Sequence, residues 1–258
     1  MTRDALLHSR HFWAACLHLL NTVLLAGLIF GQDNSEGCKW VLCVLRGQIA
    51  GNEHVTPVWC ANAGLCVWVV LIPAPSVIAE TIMAFGSSDD WVGHPLRWIE
   101  YTFSAGLMTG VIATLSGETS ILTIFLLLAL NALLQWLGYV IERQQATQTD
   151  TKTTQFIAWA IFMVIWGFIF TQFGVSVRNA EKSIPNTVYA IPTVLFFLFL
   201  VFGINQTLWI AGVYDSVSWF GIESASDACD FGYTTLSYVS KTVLAWMCWG
   251  GVIREMSK

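Results

Sequence analysis

Seven apolar stretches alternate with short polar breaks along this chain. They run over about 12–30, 58–85, 96–115, 120–141, 155–177, 187–213 and 231–253. A hydrocarbon core about 30 Å thick is crossed by about 20 apolar residues in helical form, and each stretch is close to that length or longer. The breaks carry residues that end helices. Residues 32–37 follow the first stretch and 86–90 the second; Ser116, Gly117 and Glu118 separate the third and fourth. Glu142 to Gln145 open a polar linker, Arg178 to Lys182 follow the fifth, and an acidic loop runs from Asp215 to Asp230. Lipid offers backbone amides no partner, so the pattern predicts helices, which satisfy their own. A barrel would show shorter segments alternating every second residue. The predicted fold is an all-α membrane protein, one seven-helix bundle over residues 1–258. The long first loop, 31–57, holds Trp40, Val41, Leu42, Val44, Leu45 and Ile49, with Gly47 and Gly51 as punctuation. That mixture predicts a short hairpin over one mouth of the bundle.

Composition agrees. Only 11% of the residues are charged and 55% are hydrophobic, against about 25% charged in soluble domains; mean hydropathy is +0.62. Membrane lipid is therefore the expected surrounding. The net charge of -5 includes no basic tract, so nucleic acid is not an expected partner. Arg3 and Arg10 precede an apolar run as in a signal peptide, but no small-residue cleavage site follows, and the run is read as a helix. Basic residues are shared five to six between the two sides: Arg3, Arg10, Arg97, Arg143 and Lys152 against Lys39, Arg46, Arg178, Lys182, Arg254 and Lys258. That count leaves orientation open, while the arginines beside the first helix favour a cytoplasmic N-terminus. Trp91, Trp98, Trp219 and Trp249 fall near segment ends, where an interfacial belt is expected. Cys16, Cys66 and Cys248 read as small core residues. Cys38, Cys43 and Cys60 gather at one polar loop, as a disulfide or as free thiols. No metal-ligand spacing is present, and no metal is expected.

Lys241 changes the picture most. About ten residues of helix lie on either side of it, so its ammonium cannot snorkel, and keeping it at mid-bilayer costs about 2.5–3.5 kcal/mol. Two readings are open: a structural ion pair, or a covalent imine to a carbonyl cofactor, chemistry suited to a desolvated lysine. Ser237 lies one helical turn earlier on the same face. Glu100, near the start of the third segment, is the natural counterion, with Arg97 three residues before it. Opposite charges about 4 Å apart at an effective dielectric of 20 gain about 4 kcal/mol, enough to keep an imine protonated at neutral pH. His18 and Asn21 share one turn of the first segment, and Glu80 lies late in the second after Pro73 and Pro75. Each is a proton-transfer candidate or an ordinary buried or interfacial polar residue. Asn131 and Gln135 read as a helix-to-helix hydrogen-bonding pair. Trp166, Trp209 and Trp246 could wall a flat apolar ligand or simply pack. Asn205, Gln206 and Thr207 match a glycosylation acceptor but lie inside a predicted span. No hydrolase, metalloprotease, phosphate-loop or dinucleotide signature occurs, so no enzyme and no catalytic residue is expected.

These residues resemble a family. Ser237, Lys241, Leu244, Ala245 and Trp246 are similar to the seventh helix of heliorhodopsins; Arg97, Trp98, Glu100 and Tyr101 are similar to their third, and His18, Leu19 and Leu20 to their first. Asn131 and Glu142 sit where similar residues occur at the fourth helix. The resemblance covers nearly the whole chain. It implies a rhodopsin-like bundle with all-trans retinal on Lys241, Glu100 as sole counterion, and a pocket including Ser104, Met108, Asn131, Trp166 and Trp246. It also implies a cytoplasmic N-terminus, an extracellular C-terminus and a homodimer whose first loop covers the outer side. Departures exist. Pro73, Ala74, Pro75 and Ser76 stand where the family often has a second histidine. Val111 stands where proton pumps carry a carboxylate eleven residues after the counterion, and Ser237 replaces the pumps' helix-seven aspartate.

The leading expectation is a light sensor with a slow conformational and proton-transfer cycle, signalling to an unknown partner. The alternative is light-driven or light-gated proton transport, with His18, Asn21, Arg97 and Glu80 as the polar route. A third reading is a transporter or receptor in which Lys241 is only structurally paired.

Overall fold

The computed structural model describes residues 3–31, 41–46, 56–62, 64–86, 94–180, 186–216, 222 and 224–253. Among them lie α1 (Arg3–Phe30), α2 (Leu65–Leu71), α3 (Ala74–Phe85), α4 (Pro95–Leu115), α5 (Ile121–Ala146), α6 (Lys152–Arg178), α7 (Asn186–Ile210) and α8 (Ala225–Cys248), the last prolonged by a π-helical turn at Trp249–Ile253. Helices α2 and α3 form one span broken at Pro73, which lacks the amide hydrogen that a continuous helix needs. The result is seven spans, as the apolar pattern predicts.

Five stretches are apolar enough to cross a membrane by composition: His8–Phe30, Leu65–Phe85, Ile121–Ala146, Lys152–Arg178 and Tyr189–Ile210. The remaining two spans, α4 and α8, carry Arg97 and Glu100, and Asp227, Asp230 and Lys241. The surface is inverted relative to a soluble protein. Phe85, Phe103, Phe125, Phe156 and Val164 are exposed, while Arg97, Glu100, Glu142, Asp230 and Lys241 are buried. Lipid solvates the first set, and the bundle interior must satisfy the second.

Side-chain contacts set the helix directions. His8 of α1 reaches Ala84 at the end of α3, Arg10 reaches Asp227 at the start of α8, and Gln155 at the start of α6 reaches Thr207 near the end of α7. These ends define an N-terminal face. The opposite face carries the hairpin β1 (Val41–Arg46) and β2 (Thr56–Asn62), antiparallel with Cys43 opposite Cys60 and an irregularity between Val44 and Leu45. Serine side chains cap two helices: Ser120 accepts from the amide of Thr123, and Ser224 from that of Asp227. Gly117, at φ +95° against the Ser176 side chain, makes the tight turn between α4 and α5.

The structure moves several predicted boundaries, beginning with the first helix, which starts at Arg3 rather than 12. The second span starts at Leu65 rather than 58, because Thr56–Asn62 is the hairpin's second strand. Its apolar, partly β-branched run cannot be told from a helix by periodicity alone, and Gly64, at φ +58°, ends it. Helix α5 continues past 141 to Ala146, so Glu142 is helical and buried instead of opening a linker. Helix α7 stops at Ile210 rather than 213. Helix α8 begins at Ala225, so Asp227 and Asp230 belong to a buried helical turn instead of an acidic loop. Trp98 is buried in the bundle instead of lying in an interfacial belt, whereas Trp91 and Trp219 fall outside the described residues. Cys66 is buried and disulfide-bonded, a step beyond the small core residue expected. Cys38 and the side chains of Cys43 and Cys60 also lie outside the described residues.

Gly138 of α5 is needed for close approach: a Cβ there would overlap the indole of Trp98. Replacing Gly138 by leucine should destabilise the bundle by about 1–3 kcal/mol, the range for forcing volume into a packed core. A lowered thermal midpoint in detergent micelles is the expected reading.

Candidate functional site

Lys241 sits midway along α8 and is 2% exposed. Its Nζ donates to Ser76 Oγ at 2.6 Å, to Glu100 Oε1 at 2.7 Å and to Ser237 Oγ at 2.6 Å. An ammonium has three donors, and all three are used. Ser76 Oγ in turn donates to Glu100 Oε1 at 2.8 Å. The break at Pro73 places Ser76 in the first turn of α3, α4 supplies Glu100, and α8 supplies Ser237 one turn before the lysine. The Tyr101 ring lies 5.2 Å from Nζ, within cation–π range. A buried charge is tolerable only when paired and hydrogen-bonded, and here both partners are.

An apolar cavity opens beside this amine. Trp98, Tyr101, Ser104 and Met108 of α4 line it with Leu134 and Gly138 of α5, Trp159 and Phe162 of α6, Phe199 and Phe202 of α7, and Tyr233, Ser237 and Lys241 of α8. Its free volume is about 100 Å³.

Of the pocket residues expected from sequence, Ser104, Met108 and Ser237 line the cavity with Lys241, while Asn131, Trp166 and Trp246 do not. Trp166 stands behind the lining residues Phe162 and Phe199, its ring 6.2 Å and 5.6 Å from theirs. Trp246 donates its Nε1 hydrogen to Asn21 Oδ1 at 2.8 Å. Asn131 Oδ1 accepts from Gln135 at 3.4 Å within α5, so this pair bonds along one helix and not between two. His18 is fully buried with its ring 5.4 Å from that of Tyr238.

Arg97 does not pair with Glu100. It pairs with Asp230 and lies 3.6 Å from Glu142 Oε1. Glu80 lies 2.6 Å from His11 Nδ1. A second ionic cluster thus stands on the N-terminal side of Lys241. Trp98 touches both: its ring lines the cavity and its Nε1 donates to Glu142 Oε2 at 2.9 Å.

Ser76, His11 and Asp230 were not among the expected site residues, and the apolar pattern put Glu142 in a linker although the family resemblance placed it at the fourth helix. A signal existed for Asp230. It lies seven residues before Ser237 and eleven before Lys241, positions that share one helical face. His11 likewise precedes His18 by seven.

A family model described as Heliorhodopsin matches residues 11–253. The chain belongs to the heliorhodopsin family. No curated protein matches it. Solved structures share the fold at low identity. A cyanorhodopsin from Tolypothrix sp. NIES-4075 aligns over 100% of both chains, with a TM-score of 0.71 and 12% identity. The light-driven proton pump of Coccomyxa subellipsoidea aligns over 96% of both chains, with a TM-score of 0.66 and 16% identity. The transmembrane domain of Salpingoeca rosetta rhodopsin phosphodiesterase aligns over 96% of this chain and 84% of that one, with a TM-score of 0.69 and 12% identity. Family membership implies a retinal chromophore. The residues fit one: a buried primary amine with a carboxylate at 2.7 Å borders an apolar cavity with seven aromatic side chains in its wall.

Removing one partner of a buried ion pair costs about 3–5 kcal/mol. Arg97→Gln, which strands Asp230 and Glu142, should therefore lower stability by that order. Arg143→Gln, on the exposed face of α5, should stay within about 0.5 kcal/mol. Denaturant unfolding in mixed micelles compares the two, and equal effects would refute the structural weight given to Arg97.

Proposed function

We propose that this chain is a light-sensing membrane photoreceptor that holds all-trans retinal as a protonated Schiff base on Lys241, with Glu100 as sole counterion. One observation carries the reading: the buried Lys241 amine, paired with Glu100 at 2.7 Å, borders an apolar cavity. Bound there, retinal supplies visible absorption and a light-driven change of shape. The chain's own residues do the rest. Glu100 balances the positive charge on Nζ and is the carboxylate in contact with it, placed to take its proton. Ser76 and Ser237 fix the direction of the N–H bonds and extend the proton's possible path. The aromatic walls exclude water, which strengthens the ion pair. Trp98 links the cavity wall to Glu142 and so to the second ionic cluster, a route by which strain could reach the N-terminal face. The expected output is a slow conformational and proton-transfer cycle read by a signalling partner, with no reaction catalysed by the chain itself.

Orientation and assembly belong to the same proposal. Cys66 stands at the hairpin end of α2 and is disulfide-bonded. Disulfides persist in oxidising compartments, which supports a hairpin facing outward, a cytoplasmic N-terminus and an extracellular C-terminus. A homodimer follows from the family resemblance. A second reading, light-driven or light-gated proton transport, is favoured by the buried pair of Glu80 and His11 beside α8; photocurrent in expressing cells separates it from pure sensing.

The reading is tested by adding all-trans retinal to the purified chain and recording a visible spectrum. A visible band should form with the native chain and be absent with Lys241→Ala. A band that survives in the variant, or a native chain that stays colourless, would overturn it.

A further inference from the structure

The Lys241 site leaves a second set of buried ionisable groups unused. His11 of α1 is fully buried. Its Nδ1 lies 2.6 Å from Glu80 Oε2 of α3 and its Nε2 lies 3.6 Å from Asp230 Oδ2 of α8. Behind Asp230 stand Arg97 of α4 and, through it, Glu142 of α5. On its own helix His11 has Arg10 and His8 as neighbours; Arg10 donates to the Asp227 carbonyl.

Charge balance in this cluster calls for a proton. With Arg10 and Asp227 counted, four carboxylates stand with two guanidinium groups, so a neutral His11 leaves an excess of two negative charges in a low-dielectric interior, which is costly. A neutral imidazole also has one N–H and one lone pair. It can donate to only one of its two acidic neighbours and turns a lone pair toward the other. One added proton, shared over coupled groups, halves the excess charge and lets both ring nitrogens donate.

The cluster is also in line with Lys241. Glu80 follows Ser76 by one helical turn, about 6 Å along the α3 axis, and Ser76 bonds both Lys241 and Glu100. On the other side His8, three residues before His11, is part-buried at the N-terminal face, with Nδ1 2.9 Å from the Ala84 carbonyl oxygen. The seam between α1 and α3 thus carries Glu80, His11 and His8, with Ser76 one turn from Glu80 on the Lys241 side.

We propose that Glu80, His11 and Asp230 form a buried site that holds one exchangeable proton and passes it between the Lys241 network and the N-terminal face. In the transfer step the Nδ1–H bond of His11 breaks and an O–H bond forms on Glu80 Oε2. Imidazolium becomes imidazole, carboxylate becomes carboxylic acid, and no electrons change hands. The relay to Lys241 rests on the photoreceptor reading; the holding of the proton does not.

The test uses the full chain in lipid nanodiscs, without retinal, with 15N-labelled histidine rings. His8, His18, His54 and His94 are replaced by glutamine, so that one imidazole remains. At pH 7 both ring nitrogens of His11 should carry protons. Adding Glu80→Gln should leave one ring nitrogen of His11 without its proton at the same pH. A singly protonated ring at pH 7 in the chain that keeps Glu80, or a spectrum indifferent to Glu80→Gln, would overturn the site. Should the four-fold variant fail to fold, the difference between native and His11→Gln spectra reads the same signal. In the retinal-loaded chain, light-minus-dark infrared spectra should show a carboxylic-acid band that Glu80→Gln removes; identical spectra would overturn the relay. A chain that takes up no retinal defeats the photoreceptor reading and leaves the nuclear magnetic resonance result standing.

Discussion

A primary amine placed in the middle of a membrane helix must be neutralised by something inside the protein. That constraint organises the bundle. Lys241 is too far from either surface to reach water, so α4 brings Glu100 to it, the break at Pro73 brings Ser76, and α8 itself brings Ser237. The two helices that carry the pair are the two spans that fall short of membrane-crossing apolarity. They tolerate this because the other five present apolar surface to lipid. The price in hydropathy is confined to interior-facing positions, where each charge meets an opposite charge or a hydrogen bond.

The same logic recurs on the N-terminal side with different consequences. At Lys241 a single acid meets a single base, and the hydrogen bonds of the ammonium are saturated. Around His11 the acids outnumber the bases, and the balance depends on a mobile proton. A closed pair holds a cofactor linkage at fixed geometry, whereas an unbalanced cluster can change its charge at little structural cost. Trp98 spans the two, one side in the cavity wall and its indole nitrogen on Glu142. A displacement of the cavity wall and a change of charge in the cluster are therefore mechanically connected.

Much of this was legible in the sequence, for physical reasons. Seven apolar runs define seven spans because backbone hydrogen bonding in lipid leaves few alternatives. Lys241 and Glu100 stood out because a lone amine between about ten residues of helix on each side requires a partner, and few acids lie at matching depth. The helix ends were less legible. Glu142, Asp227 and Asp230 look like loop residues one segment at a time, and only contact with Arg97 and Arg10 from other helices makes them interior. Thr56–Asn62 is apolar enough for a span, and its pairing with Val41–Arg46 decides otherwise. The aromatic walls were hardest to assign. Trp166 and Trp246 pack in the bundle beside or behind the cavity lining, while Trp98, seated over Gly138, lines it. Nothing in a tryptophan's own neighbourhood in sequence separates these roles.

One carboxylate, Glu100, holds the positive charge on the Lys241 nitrogen. The direct measurement is the visible spectrum of retinal-loaded Glu100→Gln at neutral pH, in a buffer without small anions able to replace the carboxylate. The visible band should give way to a near-ultraviolet band, as the nitrogen loses its proton, while the native chain keeps its colour. A Glu100→Gln chain with the native spectrum over the same pH range would contradict this role of Glu100.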